Sequence, residues 1–118
     1  MDQDYLLLNQ ILDRAGQRIS QILQGTHPDF VDYEKRLDSF NFWLPGLNQT
    51  AEEMAASGFF YANFRDVVIC FSCGIYLGEF KRCDVPIIEH TRHSKGCYFL
   101  QTDIGSECIE KILESLKK

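Results

Sequence analysis

CFSCGIYLGEFKRCDVPIIEHTRHSKGC, residues 70 to 97, holds four of the chain's five cysteines and two of its three histidines. Cys70 and Cys73 sit on either side of a tight turn, and Gly74 lets the backbone fold back so that both sulfurs can face one ion. That is half of a metal site. His90 follows Cys73 after sixteen intervening residues and Cys97 follows His90 after six, close enough for one short helix and one turn to bring both round to the pair. Three thiolates and one imidazole close a tetrahedral shell, the donor set of one structural Zn2+, with no position left for water or substrate. In small zinc-dependent peptides such binding supplies about 10–16 kcal/mol to folding, comparable with the whole net stability of a domain, about 5–15 kcal/mol. The zinc-free chain is therefore expected to be largely unfolded. Two plainer readings compete. Buried cysteines beside a core histidine would carry no ion, and a redox CxxC would open a helix, whereas a strand-like run follows here.

The rest of the composition narrows the setting. At 118 residues the chain suits one small domain, which buries roughly 60% or a little more of its unfolded surface and gains from a metal staple. A net charge of -5 and a pI near 5.1 argue against a nucleic-acid partner, since phosphate-backbone binding needs clustered Lys and Arg. The apolar run Leu6–Leu8 is short and follows Asp2 and Asp4, so neither a signal peptide nor a membrane span is readable. Clustered thiols then belong in a reducing compartment, which places the protein in the cytoplasm, with the nucleus open as well.

Three stretches divide the chain: an amphipathic helix and linker over 1–30, a zinc domain over 31–104 and a carboxy-terminal helix over 105–118. Tyr5, Leu8, Leu12, Ala15, Ile19 and Ile22 recur at alternate steps of three and four, the stripe of an amphipathic helix. This stripe either packs on its own domain or forms a homodimer through residues 1–24. GTHPDF, residues 25–30, reads as a helix stop and linker. Thr50 and Glu53 are spaced as a capping box, with Gly58 placed to close that helix. Aromatic and β-branched runs over 59–71 and 74–80 predict a three-stranded antiparallel meander, Pro86 opens a short helix bearing His90, and a last helix is expected over 106–117 with Cys108 in its apolar face. Cys83, beside Arg82, reads as an exposed thiol.

From Arg36 to Leu100 the chain resembles the BIR domain of the inhibitor-of-apoptosis proteins. The resemblance rests on RLDSFNFW with Arg36, Phe40 and Trp43; on MAASGFFY with Ala55, Gly58, Phe59 and Tyr61; and on DVVICFSCG, LGEF, DVP, EH and HSKGCYFL. It implies an α+β fold: a small zinc-centred domain with a three-stranded sheet and short surrounding helices. It also implies a non-enzymatic function, the binding of pro-apoptotic proteins, caspases or signalling adaptors through a groove beside the third strand that takes a free amino-terminal Ala. Carried over by position, Leu77 and Phe80 wall that groove with Gly78 and Glu79 between them, Asp84 and Glu89 meet the ammonium, and His93 lies at the far side. Phe80 stands where the family usually has Trp, and Tyr76, beside Ile75, where groove-competent members carry a small residue. A survivin-like alternative, a scaffold recognising a histone tail in chromosome segregation, places His93 near a phosphothreonine.

Overall fold

The computed structural model describes residues 25 to 117, so the helix and the homodimer contact read from residues 1–24 lie outside the described residues. Among the described residues no helix is long and apolar enough to cross a membrane.

The sheet is built from short runs rich in aromatic and β-branched residues. Strands β1 (Phe59–Tyr61), β2 (Val68–Cys70) and β3 (Tyr76–Leu77) lie in that order, antiparallel throughout, with Phe59 opposite Cys70, Phe60 opposite Ile69, and Ile69 opposite Tyr76. The side-chain period of two sends Phe59, Tyr61, Val68 and Cys70 into the core and turns Phe60, Ile69 and Tyr76 to the other face. The expected strand over 74–80 shortens to two residues because Glu79 takes a left-handed φ of 56° and turns the chain away.

Helices enclose the inner face. Helix α1 (Tyr33–Asp38) runs into a 3-10 turn (Ser39–Phe42) that buries Phe40, and Ser39 Oγ receives the Tyr61 amide at 2.8 Å, tying this turn to β1. Helix α2 (Ala51–Ala56) starts at the expected capping box: Glu53 N donates to Thr50 Oγ1 at 3.0 Å and Thr50 N to Glu53 Oε1 at 2.9 Å. Gly58, at φ +94°, ends it where a Cβ would sit 2.8 Å from the Phe99 ring. Helix α3 (Pro86–His93) opens on Pro86 as the sequence predicts.

Two further helices complete the chain. Helix α4 (Tyr98–Asp103), which the sequence pattern does not separate from its surroundings, buries Leu100, and helix α5 (Gly105–Leu116) buries Ile109. Cys108 is exposed, contrary to the expectation that it packs inward: with Ile109 and Leu113 facing the domain, position 108 falls outside the covered arc. Residues 25–30, read from their Gly and Pro as a linker, lie against the sheet, with Phe30 stacked on Phe60 at 3.9 Å between ring centroids.

Candidate metal centre and peptide groove

The four ligand atoms of Cys70, Cys73, His90 and Cys97 all lie within 4.8 Å of one another. Cys70 Sγ and Cys97 Sγ are 3.7 Å apart, as are Cys73 Sγ and His90 Nε2. Zinc–sulfur bonds of about 2.3 Å at tetrahedral angles put two sulfurs about 3.8 Å apart, so the cluster is spaced to hold one zinc ion.

Three of the four ligands, Cys70, Cys73 and His90, are aimed by a neighbour. His90 lies fully buried on α3, and its Nδ1 donates to the Ser57 carbonyl at 2.8 Å, which leaves the Nε2 lone pair for the metal. Its ring is flanked by Phe59 and Phe99. The amides of Ser72 and Cys73 donate to Cys70 Sγ at 3.3 and 3.4 Å, and Ser94 Oγ donates to Cys73 Sγ at 3.2 Å. These bonds offset the negative charge of thiolates in a dry site.

Electrostatics show how strongly the cluster demands a cation. Hydrogen bonds from Cys70 and then Cys97 hold the Cys73 thiol far below its ordinary value, while the bond to Cys73, then that to Cys97 and burial, push the Cys70 thiol far up. Burial pulls His90 down, but its bonds to Cys73 and Cys97 outweigh that and raise it to about 9. Zinc with three thiolates carries one net negative charge. Buried Arg36 adds a positive charge within coulombic reach of Cys70: its guanidinium lies 4.7 Å from the Phe71 ring centroid and donates to the carbonyls of Ala55 (2.8 Å), Phe30 (3.1 Å) and Val31 (2.9 Å). Burial lowers the Arg36 pKa, and the Cys70 charge opposes that shift.

The groove residues carried over from the family resemblance lie along an exposed strap, residues 76–84, and on helix α3 that follows it. Leu77 and Phe80 are half-buried against the core. Between them, exposed Gly78 lies against Asp66 and Val67, and Glu79 is exposed. Phe80 also lines an open hollow of about 400 Å³ with Leu47, Gln49 and Lys81. Asp84 and Glu89 are not bare carboxylates. Asp84 Oδ2 accepts the Lys81 amide at 2.7 Å, and Glu89 Oε1 pairs with Arg92 Nε at 3.3 Å and His93 Nε2 at 3.7 Å. Tyr76 is 73% exposed and stands on the outer face of the sheet.

Sequence reasoning missed the residues that shape this strap. The Asp66 carboxylate receives the amides of Glu79 and Phe80, both at 2.8 Å, and buried Gln49 donates to the carbonyls of Lys81 (2.8 Å) and Asp84 (2.7 Å). No spacing rule marks either residue, because the partners lie 13 and more than 30 positions away.

The family model described as the Inhibitor of Apoptosis domain, BIR, matches residues 36–101. The chain belongs to the inhibitor-of-apoptosis family. Apoptosis inhibitor 193R of Invertebrate iridescent virus 6 is 38% identical to it over 77 residues, covering 62% of this chain and 37% of that protein. The chain spans well under half the length of the curated relatives it matches. Among solved structures, the autoinhibited dIAP1-BIR1 domain is similar at a TM-score of 0.60 and 30% identity, covering 72% of this chain and 93% of that one. A DIAP1 BIR1 domain bound to a Grim peptide aligns at a TM-score of 0.54 and 31% identity, over 69% and 89%. BIR domains are generally non-enzymatic interaction modules, and in this one the closed Cys3His shell gives zinc the work of organising the chain.

Proposed function

We propose that this BIR domain restrains cell death by capturing the free amino terminus of pro-apoptotic proteins, an Ala-initiated segment laid along β3. The observation that carries the reading is the open edge: β3 pairs with β2 on one side alone among the described residues, so its outer backbone groups can accept an added strand. In this reading Leu77 and Phe80 wall the first side-chain pocket. The carboxylates of Asp84 and Glu89 attract the α-ammonium, Gly78 and Glu79 offer backbone, and His93 borders the far end. The Grim peptide on a similar BIR domain supports the same class of ligand. Caspases and signalling adaptors are further partners of this kind, and the reducing cytoplasm suits the zinc thiolates.

The survivin-like reading fits less well. A phosphothreonine near His93 would meet the carboxylate of Glu89, which lies 3.7 Å from His93 Nε2 and already pairs with Arg92. Calorimetric titration of the zinc-loaded protein with an Ala-initiated peptide, its N-acetylated copy and a phosphothreonine histone-tail peptide separates the two. Binding of the free-amine peptide alone is the expected result. Preference for the phosphopeptide, or silence toward all three, overturns the proposal. Asp84→Asn with Glu89→Gln keeps an oxygen for the Lys81 amide yet removes both charges, and it should weaken the free-amine peptide roughly fivefold or more.

A further inference from the structure

The sheet is apolar on both faces. An antiparallel sheet with one wet face alternates apolar and polar residues, but here the outer face carries Phe60 and Ala62 from β1 and its extension, Val67 and Ile69 from β2 and its lead-in, and Tyr76 from β3. None of these five belongs to the cluster packed under the inner face of the sheet. Among the described residues, His27 and Phe30 cover the β1 end: Phe30 stacks on Phe60, His27 meets it edge-on at 5.0 Å, and Phe60 is left 6% exposed. Toward β3 the cover gives out. Ile69 is half-buried and Tyr76 stands 73% exposed.

The chain enters the described structure at this face. Thr26 N donates to the Ser72 carbonyl at 3.2 Å and His27 N to the Phe71 carbonyl at 2.9 Å, which lays residues 25–27 beside the end of β2. Gly25, at φ +90°, is pressed so close that a Cβ would sit 2.1 Å from the Phe71 oxygen, and the Thr26 side chain abuts Gly74, two residues before β3. Gly25, to which residues 1–24 are joined, thus lies beside the end of β2, and the adjoining Thr26 lies at the turn that leads into β3. Three strands about 4.8 Å apart and about 10 Å long need only some ten residues of helix to cover them, so 24 residues are ample.

We propose that residues 1–24 of this chain dock through the Ile19–Ile22 end of their apolar stripe on the outer face of the sheet, over Ile69 and Tyr76. The site is intramolecular and separate from the peptide edge, which uses β3 backbone. An isolated helix of this length is marginal in water, so lasting amide protection over 12–24 needs a docked partner.

Hydrogen exchange read by mass spectrometry on the zinc-loaded full chain, over a hundredfold range of concentration with light scattering alongside, tests this. Protection over 12–24 should be independent of concentration and fall on the order of tenfold in both Ile69→Thr/Tyr76→Thr and Ile19→Ser/Ile22→Ser. The second variant alters nothing in the zinc domain, so it reads out even where the first is poorly folded; there Tyr76 should become more open to hydroxyl-radical oxidation. Unprotected amides over 12–24 in the unaltered chain overturn the proposal. So does protection that survives the Ile19→Ser/Ile22→Ser change, or that appears only as the mass doubles, which would assign the face to a second copy.

Discussion

The zinc cluster and the strap from Tyr76 to Asp84 are neighbours in sequence and opposites in construction. Four side chains from three segments converge on one point in the cluster, three of them buried, and Cys70, Cys73 and His90 each have a further hydrogen-bond partner that aims them. The strap is exposed over most of its length, and its shape comes from backbone amides and carbonyls met by single distant side chains, Asp66 and Gln49. Losing one contact should therefore unmake the first region and merely loosen the second. A structural metal concentrates stabilisation at one point, while a loop held by separate hydrogen bonds spreads it.

The harshest way to break the comparison is to remove the ion. Chelation, or Cys97→Ala, should abolish near-ultraviolet circular dichroism, since the loss is comparable with the net stability of the domain. A spectrum left intact would place the cluster on a par with the strap.

Acid and base act on the same point. In the folded arrangement that receives the ion, His90 holds its proton to about 9 rather than 6.5, so the proton's hold on the site is complete below 6.5 and fades as pH rises through about 9. Zinc must displace that proton and those of the thiols, so zinc affinity runs the other way and rises with pH across this window. Competition with a colorimetric chelator, corrected for the chelator's own protonation, measures the slope.

Arg36→Met comes next. It deprives the carbonyls of Ala55, Phe30 and Val31 of a buried donor and removes a positive charge that interacts with Cys70, at a cost of about 3 kcal/mol in urea unfolding. The smallest effect sharpens the contrast. Asp66→Ala should cost only about 1–2 kcal/mol and leave one zinc per chain, while the amides of Glu79 and Phe80 exchange faster. Faster exchange around Cys70 or His90 in this variant would mean that the two regions are one.

Residue type and spacing are enough to make the cluster legible. Cysteine and histidine have few other reasons to gather at such intervals, and Gly74, at φ +79°, turns the CxxC as expected. Thr50 with Glu53 and Pro86 are legible for the same reason: a cap and a first-turn proline are local devices whose partners lie within four residues. Cys108 and the short β3 escape such reading because local pattern cannot say which arc of a helix is covered or where a left-handed residue ends a strand.

By itself, then, the order of residues determined the ligand set, the three-stranded meander and the family, since each depends on chemistry repeated at short and regular intervals. Only the tertiary structure decided that Asp66 and Gln49 hold the groove strap, that buried Arg36 ties together the carbonyls of Ala55, Phe30 and Val31, and that the sheet is apolar on both sides. Those facts rest on pairs far apart in the chain, whose meeting depends on how every intervening element packs.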